Sequence, residues 1–187
     1  MNLYGKLPDT VQFEGVEYRL DLSFQAVLAA FDLLDDGDLS DSAQIKGALD
    51  ILVLSKHPES SRLLGAISKI IAPERPQAHH APVIDFNQDW AYIYAGFVQA
   101  YGIDLFTVKD LHWLKFHALL KSLPRSTRMA EIMDIRARPL PRPTPGNAEE
   151  RAQLLKLKAE YAIRKPSTAE NGLRSLFEAL KSQAETR

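Results

Sequence analysis

Residues 85–105 read DFNQDWAYIYAGFVQAYGIDL, and within them Phe86, Trp90, Ile93, Tyr94, Phe97 and Tyr101 fall at spacings of four, three and seven. Such spacing gathers side chains into one stripe along a helix. The pattern predicts a helix capped by Asp85 and stopped just past its end by Gly102. A stripe so rich in large rings cannot be left scattered in water. Core burial is its ordinary use. The other is a groove for a helix of another protein, where aromatic side chains serve as anchors.

The neighbouring segments point the same way. TVQFEGVEYRL alternates apolar and polar residues about Glu14-Gly15, which predicts a β-hairpin with Val11, Phe13, Val16, Tyr18 and Leu20 on its strands. Asp21 or Ser23 can cap a first helix carrying Val27, Leu28, Phe31 and Leu34, which DDGD should end. Ser40 or Asp41 opens a second, through Leu49, Leu52 and Val53. A third fits between Pro58 and Ile71, with the proline at its start. Thr107 and Asp110 resemble a capping box for a helix bearing Val108, Leu111, Trp113, Leu114, Phe116, Leu119 and Leu120. Apolar on most sides, that helix should be central and buried. A shorter helix is expected over about 126–136.

Two stretches interrupt the helices. Residues 72–84, with three prolines, read as a connector, and RPLPRPTPGN packs four prolines into seven residues as a semi-rigid linker. The expected class is therefore mostly α: a hairpin plus compact multi-helix domain over 1–138, a linker over 139–147, and charged C-terminal helices over 148–187.

Composition narrows the function classes. The 187 residues contain no cysteine, which removes disulfides, thiolate nucleophiles and zinc fingers and suits a reducing cytosol. The longest uncharged apolar stretch, Ala91 to Val98, is far shorter than the ~20 residues that span a bilayer. Acidic residues near the N-terminus (Asp9, Glu14, Glu17) do not fit a secretory signal, so a cytoplasmic protein is expected. Residues 1–50 hold ten acids against three bases, and residues 115–142 hold seven bases against two acids. That asymmetry could orient a protein partner, favour self-association, or simply mark two solvated faces.

No constellation names a reaction. His112 and His117 are five apart, which turns the second about 140° from the first and off the shared face a metal would need. His79-His80 sits in the connector without a completing carboxylate or thiolate. DLLDDGDLSDSA fails as a calcium loop, because Leu34 and Ala43 stand where ligands are required. The basic run of Lys121, Arg125, Arg128, Arg136, Arg138 and Arg142 could meet phosphates, but no base-stacking aromatics accompany it, so nucleic acid is not the expected partner. Neither catalysis nor a cofactor is expected.

The aromatic segment, followed by LHWLKFHALLKSLP and EIMDIRARPLP, resembles the tailed-phage gene-product-fifteen family, as do FEGVEYRLDLSFQAVL and LLKLKAEYAI. The resemblance covers roughly residues 10–165, and Ile103-Asp104-Leu105 with Leu111-His112-Trp113 is its most specific part. It implies a small, mostly helical protein encoded among the tail genes of siphophages and prophages, next to the tail assembly chaperone and tape-measure genes. The implied role is chaperone-like: holding the tape-measure protein soluble and bringing tail-tube subunits to it in the host cytoplasm. A structural tail or adaptor component of the virion is the alternative, and a metal- or nucleic-acid-dependent enzyme a remote one. The resemblance supplies no catalytic residue, metal or cofactor. Candidate partner-binding residues are Phe86, Trp90, Ile93, Tyr94, Phe97, Tyr101, His112 and Trp113.

Overall fold

The computed structural model describes residues 5–72 and 82–164. Among them are one two-stranded hairpin and seven helices, a mostly α architecture as the sequence leads one to expect. His79, His80 and the segment TAENGLRSLFEALKSQ lie outside the described residues. The chain divides into two compact units, residues 5–72 with 109–118, and residues 82–108 with 119–164.

In the first unit β1 (Thr10–Phe13) and β2 (Val16–Arg19) pair antiparallel, Val11 opposite Tyr18 and Phe13 opposite Val16. Glu14 and Gly15 both have positive φ, 51° and 81°. Two positive φ values make the tight turn whose twist matches the strands, and Gly15 is what makes that conformation inexpensive. Helix α1 (Phe24–Leu34) begins at Ser23, whose hydroxyl accepts from the Ala26 amide at 3.3 Å. Asp21 supports the start from behind, accepting from the Ser23 amide. Ser40 caps α2 (Asp41–Leu52) and Ser60 caps α3 (Ser61–Ile71) in the same way. Pro58 thus stands before the third helix rather than in its first turn.

The core of this unit collects Val27, Phe31, Leu49, Leu52, Leu63 and Ile67. Residues 111–116 complete it. Leu22 and Phe24 exchange backbone hydrogen bonds with Trp113 and Leu111 (2.7 and 2.9 Å). The Phe24 ring stacks on Phe116 at 4.7 Å, and Trp113 meets Phe31 edge-on. The Trp113 indole N–H donates to the Ile71 carbonyl at 3.0 Å. Every polar atom carried inward by this tryptophan is therefore matched.

That pairing corrects one expectation. Helix α5 is Trp113–Lys121 and does not start at Thr107. Asp110 adopts a left-handed conformation (φ 57°), and residues 111–112 run extended beside Leu22–Phe24. An extended segment cannot also be the first turn of a helix. His112 stands at the N-cap instead, its Nδ1 accepting from the Leu114 amide at 3.1 Å.

In the second unit α4 (Trp90–Tyr101) packs on α6 (Arg128–Ala137), and α6 on α7 (Ala148–Glu160). Ile93, Phe97, Leu120, Leu123, Met129, Ile132, Ile135 and Leu154 are buried. Gly102, with φ 64°, ends α4 as expected. The start of α4 differs from expectation. Asp85 does cap, its carboxylate accepting from Asn87 and Gln88 amides, but it caps a single turn over 86–89, so Phe86 precedes the helix. Thr127 caps α6 and also donates to the Pro124 carbonyl.

Candidate partner-binding surface

The second unit is organised around a buried ion pair. Asp89 (side chain 1 % exposed) faces Arg136 (6 %) through two parallel hydrogen bonds of 2.5 and 2.8 Å. Charges this deep are stable only when well paired and hydrogen-bonded, and among the described residues no buried side-chain nitrogen or oxygen lacks a partner. Asp89 also accepts from the Asp85 amide, while Arg136 donates to the Val83 and Tyr161 carbonyls. Lys158 donates to the Arg136 carbonyl, and the Gln88 side chain bonds both Ala162 O and Arg164 N–H. The pair thereby ties the entry to α4 to α6 and to the segment that follows α7. Its commitment explains why Asp89 makes no side-chain cap on α4.

This geometry fixes which face of α4 is left outside. Ile93, Gly96 and Phe97 turn inward. Trp90, Tyr94 and Val98, four residues apart along one ridge, lie at the edge of that face. Trp90 is 56 % exposed and Val98 is exposed. Phe106, 73 % exposed, folds back from the loop after Gly102 and lies 5.1 Å from Tyr94 and 6.2 Å from Trp90, ring centre to ring centre. The result is a contiguous surface cluster of rings, Trp90 and Phe106 exposed and Tyr94 half-buried, with Val98 on the same ridge. A scattered exposed side chain needs no account; a contiguous aromatic patch on a surface does.

The eight candidate residues thus separate. Trp90, exposed, and Tyr94, half-buried, belong to the surface cluster, and Phe86 is half-buried ahead of the helix. Ile93 and Phe97 are core, and Tyr101 is half-buried with its hydroxyl donating to the Leu119 carbonyl at 2.9 Å. His112 and Trp113 belong to the first unit. The Trp113 ring is core, and both nitrogens of His112 are engaged, Nδ1 by the Leu114 amide and Nε2, as donor, by the Pro8 carbonyl at 3.0 Å. His117 stacks on Trp113. Among the described residues no group of three or more His, Asp or Glu is placed to share a metal ion. No described helix is long and apolar enough to cross a membrane.

Phe106 is the residue that spacing could not find, since it lies off any helix. The basic run also changes meaning. Arg136 is interior, Arg128 pairs with Glu131 and lies over the Tyr161 ring, and Arg138 pairs with Asp134. The Glu131 carboxylate raises the affinity of Arg128 for its proton. Much of the positive charge counted from sequence is already neutralised by neighbours, which weakens it as a phosphate-binding stripe.

Across residues 3–163 the chain matches the family model described as Bacteriophage Gp15 protein. No curated protein and no solved structure matches it.

Proposed function

The chain belongs to the Bacteriophage Gp15 family, and on that premise we propose that it acts as a tail assembly chaperone in the cytoplasm of the infected host. It works by reversible protein–protein contact rather than by catalysis, and it needs no cofactor. Its partners are the tape-measure protein and the tail-tube subunits.

The observation that carries this reading is the surface cluster of exposed Trp90 and Phe106 about half-buried Tyr94, with Val98 beside it. Rings on a helical ridge, beside a solid core, suit a helix-in-groove contact with a long helical client. Leu155 and Leu157, exposed on α7, provide a second and smaller apolar contact.

The test is co-expression with the tape-measure protein, followed by affinity co-purification and a solubility assay. A soluble complex is expected with the native chain. Trp90→Ala with Phe106→Ala should abolish it while leaving the helical circular dichroism unchanged, since each aromatic anchor contributes at least ~2 kcal/mol, roughly 30-fold in affinity. No complex, together with stoichiometric presence of the chain in purified particles, would overturn the reading in favour of a structural tail component.

A further inference from the structure

We propose that the outer face of α4 is a self-association surface, through which two copies of this chain pair about a two-fold axis. The pairing overlaps the surface assigned above to a client, but it needs no client and is measured without one.

Charge is the first observation. α4 reads WAYIYAGFVQAY and holds no Asp, Glu, Lys or Arg. Its exposed residues are Trp90, Ala91, Tyr92, Ala95, Val98 and Gln99. An ordinary surface helix turns charged side chains to water, as the other helices of this unit do. α6 exposes Arg128, Glu131 and Asp134, and α7 exposes Glu149, Glu150 and Lys156. On α4 even the Gln99 amide is turned aside, donating to the Ser126 carbonyl at 3.4 Å.

The missing charge points to the occupant. A two-fold axis brings a patch against itself, so a charge near its middle would meet its own copy. At helical spacing the middle of the exposed arc is Ala91, Ala95 and Val98, with Trp90 at one border and Tyr92 at the other. Nothing there repels a second copy, and a formal net charge of −1 adds almost no long-range repulsion.

The area is sufficient as well. Trp90 is 56 %, Tyr92 39 % and Phe106 73 % exposed, which leaves roughly 350–400 Å² of ring surface in water. With Val98, Ala91, Ala95 and Gln99 added, each copy offers on the order of 500 Å², so a pair buries on the order of 1,000 Å², the lower bound of a specific interface. Contacts of this size form and part readily, with a dissociation constant on the order of micromolar. Pairing would cover Trp90 and Val98 while the chain is abundant, and a client taking the same side chains would have to separate the copies.

Sedimentation equilibrium of the full-length chain tests this over a hundredfold range of concentration centred on about 10 µM. The native chain is expected to pass from one copy to two across that range. Ala95→Arg and Ala91→Arg each place a charge at an exposed position, in a residue that helices accept well. Far-UV circular dichroism checks that both stay folded; where one does not, the other decides. Each brings two like charges together across the axis and should weaken pairing by at least ~100-fold. A native chain that remains a single copy at every concentration would overturn the proposal. So would pairing that persists unchanged in a folded variant, which would assign the contact to another face. Absence of pairing leaves the client co-purification untouched, and failure there leaves this result standing.

Discussion

Arg136→Met is the substitution whose outcome the structure specifies most fully. The methionine replaces the aliphatic stem but removes the guanidinium, and Asp89, 1 % exposed, is left with the Asp85 amide as its remaining donor among those described above. Stranding one member of a buried ion pair costs about 3–5 kcal/mol. The Val83 and Tyr161 carbonyls lose their donor as well, although near the surface water replaces part of it. For a chain of this size that predicts a fall in melting temperature on the order of 10 °C. The companion variant Asp89→Leu/Arg136→Met removes both charges. It should recover part of the loss and settle about 1–3 kcal/mol below the native protein, because the amide and carbonyls around the pair stay unsatisfied. Urea unfolding followed by circular dichroism measures both. Two units can unfold in two steps, so coincidence of the circular dichroism and tryptophan fluorescence transitions, to which Trp113 of the first unit and Trp90 of the second both contribute, is checked first. A cost below about 1 kcal/mol for the single variant, or a double variant no better than the single, would refute the idea that a stranded buried charge sets the penalty.

Other outcomes follow from the same geometry. Phe97→Ala should destabilise by about 3–5 kcal/mol, as a fully buried ring does, whereas Phe106→Ala should move the urea midpoint little; equal effects would contradict the division between core and surface. Gly15→Ala should cost about 1 kcal/mol through its positive φ alone, since no atom lies within 4 Å of the added methyl; a neutral result in thermal unfolding would argue against this turn. The Lys46 ammonium, hydrogen-bonded to Asp50, holds that carboxyl below the usual aspartate range. Its small stabilising effect is therefore present above the unfolded-state pKa and fades as pH falls through the folded one. Carbon-detected NMR titration should show the Asp50 midpoint rising in Lys46→Met.

What could be read along the chain was whatever depends on neighbours in sequence. Alternation around Glu14-Gly15 foretold the hairpin, and Ser23 and Ser40 before apolar periodicity foretold two helix starts, because caps and turns are local chemistry. The stripe in α4 was legible, but not its division into Ile93 and Phe97 inside, Tyr94 half-buried at the edge and Trp90 outside. That division is made by the pairing of Asp89 with Arg136, forty-seven residues away, and nothing in either segment announces it. Phe106 was invisible for the opposite reason: a single ring in a loop has no period. The delayed start of α5 came from a backbone partner, Leu22–Phe24, nearly ninety residues upstream. Long-range pairing overrode a reasonable local cap.

The first unit is built from two pieces of chain that are not consecutive, and this governs the order in which a ribosome can deliver it. Phe24 and Phe31 receive their ring partners only when Trp113 and Phe116 have been made, by which time the residues of the interposed 82–108 segment have already been made as well. Until then the nascent N-terminal third carries an open apolar seam along α1, and its closure is a late, non-local event of the kind that slows folding and invites misassociation. A fragment ending near residue 72 would keep that seam permanently, so shortened versions of this protein should be cut outside residues 5–118 rather than between the two pieces.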